Sequence, residues 1–197
     1  MNKKESESAE FNLIAEIKMG EEQAFETLFF EYYHPLCRFA LKLTQSDDFA
    51  RDTVQEVFFK IWKNRYNLNI EYSISAYLYR AVKNQALNLI DQEESRHRLS
   101  ELLQSEGYFA RDNGYYYASN SPSLDEITRR VNRIWNLIEE MPSQQKMVFE
   151  LHKKHGLSYK EIAIILNIAR KTVENHMGRA LKYLRENFEE DQIIRRD

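Results

Sequence analysis

Of everything in this sequence, the stretch SYKEIAIILNIARKTVENHM, Ser158 to Met177, limits the fold most. Ser158 and Glu161 form a Ser-x-x-Glu capping box, which satisfies two orphan amides at a helix start. Ile162, Ala163 and Leu166 follow at helical spacing. Asn167 falls where the chain must turn, and asparagine tolerates the left-handed conformation better than any other non-glycine residue. Ile168 and Val173 supply apolar contacts from the turn and the second helix, and a small residue at Ala163 allows a close crossing. The pattern predicts a helix-turn-helix. Its second helix turns Arg170, Lys171, Glu174 and Asn175 outward, the face such motifs place in a DNA major groove.

The rest of the chain is compatible only with more helix. Five Gly and three Pro in 197 residues are too few for a strand-and-turn architecture, and the amphipathic windows are long. No window holds the about 18 consecutive apolar residues of a membrane span. The start, MNKKESESAEF, has no apolar signal core, so cytoplasmic residence and no membrane insertion are expected. The net charge of −3 is unusual for a chain that meets DNA, but its distribution is uneven. Residues 142 to 185 carry nine Lys and Arg against three acids, whereas residues 1 to 92 carry 11 against 14. Basic charge is concentrated where phosphates would lie.

Residues 1 to 8 are expected to fray, and a short helix with Phe11, Ile14, Ala15 and Ile17 should stop at Gly20. A second run from Phe25 to Leu43 contains Pro35, which should kink or break it. Asp47 and Asp48 are candidate caps for a third helix with an apolar face of Ala50, Val54, Val57, Phe58, Ile61 and Trp62. A polar loop, about Asn64 to Ser73, leads to a fourth helix from Ile74 to Ile90. Residues 93 to 123 change character and read as a linker, with five aromatic rings at Tyr108, Phe109, Tyr115, Tyr116 and Tyr117. A second helical domain, 124 to 197, opens with Ile127, Val131, Ile134, Trp135 and Ile138 on one stripe. Pro142 then starts a helix with Met147, Val148 and Leu151 inward. After Asn187 the chain reads as a charged tail. The fold class is therefore all-α, two small helical domains joined by a flexible linker.

In this order and spacing the segments resemble the bacterial sigma-70 family, and within it the extracytoplasmic-function (ECF) group, which keeps only domains two and four. AFETLFFEYYHPLCRFALKL is similar to the opening helix of domain two. DTVQEVFFKIW, Asp52 to Trp62, is similar to the polymerase-docking helix, and AYLYRAVKNQALN, Ala76 to Asn88, to the helix that melts the promoter and reads its minus-ten element. IEEMPSQQKMVFEL and the helix-turn-helix resemble domain four. The resemblance implies a factor that docks core RNA polymerase through residues 1–92 and reads promoter DNA at both elements. It also implies an anti-sigma partner.

Chemistry supports each role. Asp52, Gln55 and Glu56 lie off the apolar face of their helix, an acid-and-amide mixture suited to a basic coiled coil. Tyr77, Arg80, Lys83 and Asn84 recur at three- and four-residue steps, where a ring can stack on an unpaired base and cations can hold the backbone. The resemblance places capture of a flipped base in the preceding loop. Lys160, Arg170, Lys171, Thr172, Glu174, Asn175 and Arg179 are the candidate minus-thirty-five contacts. Two positions depart from the family pattern. Ala169 stands at the recognition-helix cap in place of Ser or Thr, and Asn88 stands where many members have Asp.

A LuxR-type regulator carries a similar helix-turn-helix but adds an α/β domain, which residues 1 to 92 do not suggest. No Gly-rich phosphate loop, metal-spaced Cys/His cluster or nucleophile context points to an enzyme or to a cofactor. Cys37, the single cysteine, sits on an apolar helix face as a small hydrophobe.

Overall fold

The structure, a computed structural model, describes the backbone of residues 3–103 and 126–193, and the side chains of residues 9–93 and 133–188. The chain divides into two compact units, Met1–Asn113 and Gly114–Asp197. Among the described residues both are built from helices, with no strand. The linker rings from Tyr108 to Tyr117, and the side chains of Ile127 and Val131, lie outside the described residues.

The first unit holds α1 (Lys3–Met19), α2 (Glu22–Thr44), α3 (Asp47–Lys63) and α4 (Ile74–Leu103). Helix α1 reaches back to Lys3, so residues 3–8, expected to fray, have a helical backbone. It ends at Gly20, whose φ of +91° is the left-handed stop expected there. Helix α2 passes through Pro35 without breaking. A proline inside a helix costs about 3 kcal/mol. Burial of Leu28 before it, and of Leu36, Phe39 and Ala40 after it, offsets that cost. Ser46, not Asp47 or Asp48, caps α3: its hydroxyl accepts the Phe49 amide at 3.4 Å. The two aspartates fill the first turn, where the helix dipole favours acids.

Helices α2, α3 and α4 pack against one another around Val54, Val57, Phe58, Ile61, Leu78, Tyr79, Val82 and Ala86. Aromatic edges tie the layers together. Phe25 meets Trp62 at 4.9 Å between ring centroids, and Phe39 meets Tyr79 at 5.0 Å. Trp62 is half-buried at the margin, and Tyr79 takes a central place the sequence did not single out. Helix α4 continues to Leu103, well past Ile90 and into the segment that reads as linker. Cys37 is half-buried, and burial raises its thiol pKa.

The second unit holds α5 (Glu126–Glu139), α6 (Ser143–Lys153), α7 (Tyr159–Leu166) and α8 (Arg170–Ile193). Its core is Leu137, Ile138, Met141, Val148, Phe149, Leu151, Leu157, Ile162, Ile165, Val173, Met177 and Ala180. Leu137 replaces Ile134 and Trp135 in the expected stripe; both are exposed, and Lys154 lies 4.2 Å above the Trp135 ring. Met147 is half-buried beside the buried Val148 and Leu151. Helix α8 carries on through the expected tail to Ile193.

Candidate nucleic-acid interface

The hairpin of α7 and α8 forms by the local chemistry its sequence specifies. Ser158 Oγ accepts the Glu161 amide at 3.3 Å, and Glu161 Oε2 accepts the Ser158 amide at 2.9 Å, closing the capping box. Asn167 adopts φ 55° and ψ 48°. Around it the Ile168 amide donates to the Ala163 carbonyl at 3.0 Å and the Asn167 amide to Ile164 at 3.4 Å, the paired bonds of a Schellman stop. One detail differs from the sequence reading. Ile165 shares the core with Ile162, while Ala163 and Leu166 are half-buried. The inward step within α7 is three residues rather than four, and steps of three and four both fit a helix, so spacing alone does not select between Ile165 and Leu166.

Helix α8 buries Val173, Met177 and Ala180 and leaves Arg170, Lys171, Asn175 and Arg179 exposed. Glu174 holds the first two cations, at 3.3 Å from Arg170 Nε and 3.4 Å from Lys171 Nζ. Thr172 is half-buried, and its amide reaches the Ala169 carbonyl at 2.9 Å. Lys160 is exposed on α7. Ala169 stands at the start of α8 with no side-chain oxygen to offer the first turn. Ala169→Ser should therefore raise stability by about 1 kcal/mol, read as a shifted denaturant midpoint at constant slope. An unmoved midpoint would mean the first-turn amides gain nothing from a cap.

In the first unit two further faces point away from the core. Asp52 and Gln55 are exposed on α3, and Glu56 is half-buried against Lys60 at 3.3 Å. Lys60 also donates to Gln85 Oε1 on α4 at 2.9 Å. Among them stands Phe59, 58% exposed, which the sequence reading missed. Its signal was available: Val57, Phe58 and Ile61 fix the inward phase, so Phe59 must face out beside Asp52 and Glu56.

On α4, Arg80 and Asn84 are exposed, with Tyr77 and Lys83 half-buried on the flanks of that face. Burial raises the Tyr77 hydroxyl pKa above its ordinary value. The connection before α4 is less uniformly polar than its sequence reading. It contains a 3-10 turn, Arg65–Asn67, a buried Leu68, and exposed rings at Tyr66 and Tyr72.

Residues 28–96 match the sigma-70 region 2 family, and residues 132–184 match sigma-70, region 4. The chain is similar to the ECF RNA polymerase sigma-E factor of Escherichia coli, 27% identical over 171 residues, covering 85% of this chain and 88% of that one. It is similar to the RNA polymerase sigma-H factor of Pseudomonas aeruginosa at 24% identity, with the same coverage. Two solved structures share the fold. CnrH in complex with the cytosolic domain of CnrY has a TM-score of 0.55 at 20% identity, covering 93% of this chain and 99% of that one. The sigma factor RpoE from Bartonella quintana, in complex with the anti-sigma factor NepR, has a TM-score of 0.54 at 24% identity, covering 84% and 96%. Residues 28–96 match sigma-70 region 2 and not the α/β domain of a LuxR-type regulator. With region 2 and region 4 both present and in that order, the chain belongs to the sigma-70 family, as an RNA polymerase sigma factor of the ECF group.

Proposed function

We propose that the three exposed faces divide the work of initiation. Residues 1–92 dock core polymerase through Asp52, Gln55, Glu56 and Phe59 on α3. They hold the melted minus-ten strand on Tyr77, Arg80, Lys83 and Asn84 of α4, beside the 64–73 connection. Residues 124–197 read the minus-thirty-five element through Lys160, Arg170, Lys171, Thr172, Glu174, Asn175 and Arg179, and residues 93–123 tether the two. The observation that carries this reading is α8. A fully buried apolar stripe of Val173, Met177 and Ala180 obliges its polar face, rich in cations, to point outward.

Strand separation needs no bond chemistry in this scheme. Binding energy to the single-stranded form offsets unstacking of a few kcal/mol per base. The rings at Tyr66, Tyr72 and Tyr77 suit that task, since every base has a face to stack. The partners are core RNA polymerase, promoter DNA and an anti-sigma protein. For the last, support comes from the Bartonella neighbour, solved in complex with one. No described helix is long and apolar enough to cross a membrane, which suits action on polymerase in the cytoplasm.

The docking face has a direct test. Glu56→Lys reverses charge at the centre of that face and also loses the exposed Lys60 pair, which is worth little. The folded variant is expected to bind core polymerase at least tenfold more weakly, since like charges facing a basic surface cost on the order of 1.4 kcal/mol or more. Affinity by fluorescence anisotropy, with helicity by circular dichroism as the control, checks it. Wild-type affinity in a folded variant would remove α3 from the docking surface.

A further inference from the structure

Helix α1 lies before the region 2 match, which begins at residue 28, and none of the roles above uses it. Its contacts nevertheless converge on one place. Helix α1 packs on α2 and on the 3-10 turn of the 64–73 connection, with Ile17 only 1% exposed as its anchor.

At the exit of that connection α4 begins, and the first amides of a helix have no partner within it. Ser73 Oγ takes the Ala76 amide at 3.2 Å, the ordinary reach of a capping residue. The Ile74 amide is one residue too early for that hydroxyl. It donates instead to Glu10 Oε1, from a residue 64 positions away on α1. A carboxylate is also the group that the positive end of a helix dipole favours. Tyr32 on α2 closes the same junction, with Glu10 and Ser75 both close enough to act on its hydroxyl.

At the entry of the connection Arg65 stands over the Trp62 ring at 4.3 Å and the Tyr66 ring at 4.4 Å, donating to the Trp62 carbonyl and the Tyr66 hydroxyl. Gly20, the turn that ends α1, backs this guanidinium. A Cβ there would sit 3.5 Å from Arg65 Nε. One helix thus touches both ends of a connection that carries two exposed tyrosines, Tyr66 and Tyr72.

We propose that α1 is a positioning clamp on the 64–73 connection. Glu10 fixes its exit into α4 and the Gly20 turn backs its entry at Arg65, so α1 sets the geometry in which the connection and α4 meet an unpaired strand. This rests on the reading that those elements hold the melted minus-ten region. Glu10 is a positioning residue and touches no DNA.

The test uses the full chain in holoenzyme with core polymerase, on a promoter found by transcribing host genomic fragments. Glu10→Ala should bind core polymerase with wild-type affinity. Permanganate reactivity of unpaired thymines at saturating holoenzyme should fall about fivefold, the population change that loss of a helix cap brings. Hydrogen exchange at residues 72–76 should quicken. Glu10→Gln keeps a carbonyl oxygen for the Ile74 amide and should restore most of the reactivity. Faster exchange with unchanged reactivity would overturn the clamp. So would reactivity lost in step with core binding, because that marks a general loss of fold. A wild-type holoenzyme that leaves its promoter unreactive would overturn the melting reading itself, and the clamp with it.

Discussion

Replacing Arg170 with alanine is expected to cost about 1–3 kcal/mol at the upstream promoter element and to relax selection at one base pair. Arg170 is exposed in the first turn of α8, the part of a recognition helix that reaches base edges. In the free protein its guanidinium lies 3.3 Å from Glu174, whose other oxygen lies 3.4 Å from Lys171. Both cations are largely exposed, so these pairs are weak and DNA can displace them at little cost. Once displaced, Glu174 is free to accept from a cytosine amino group. Lys171→Ala should behave differently if the lysine meets phosphate. Binding then weakens on all sequences, and the slope of log affinity against log salt falls by about 0.9. Run-off transcription from promoters carrying single changes upstream, repeated at two salt concentrations, separates the two effects. Unchanged selectivity in both variants would take this face of α8 out of promoter recognition.

Removal of the Tyr77 ring should lose stacking of about 1–3 kcal/mol for the base it holds. The ring is half-buried on the flank of the face that exposes Arg80 and Asn84. A half-buried ring has less rotamer freedom to lose on binding than an exposed one. Arg80 and Asn84 are exposed beside it, and Arg80→Ala should weaken affinity for the opened strand with a shallower salt slope. Both variants should keep their grip on core polymerase, because the docking face lies on α3. Permanganate footprinting reports the unpaired thymines. Wild-type reactivity in both would mean that Tyr77 only packs, and the melting contacts would then be sought at Tyr66 and Tyr72.

Much of this was legible in the residues. The Ser158–Glu161 box, the Asn167 turn, the Gly20 stop and the phase of α3 are short-range effects, settled within one or two turns of chain, and spacing reports them faithfully. Other features were not, for reasons that can be named. Pro35 reads as a kink or a break because a local rule counts only the lost bond and the ring clash. It does not price the burial on either side. Ser46, Asp47 and Asp48 are comparable caps by residue type, and only one can sit at the boundary, so composition does not choose among them. Tyr79 enters the core because the apolar run on α4 leaves the phase of that helix ambiguous until its neighbours choose it.

The sequence by itself determined an all-helical chain, the hairpin of α7 and α8, and the concentration of cations on its outer face. Those follow from backbone hydrogen bonding and helical periodicity, which act over a few residues. Tertiary structure alone decided that α2 runs unbroken through Pro35, that Leu137 enters the second core in place of Ile134 and Trp135, and that Glu10 caps a helix 64 residues away. Each depends on groups far apart in the chain, brought together when apolar faces are buried, and no local spacing encodes them.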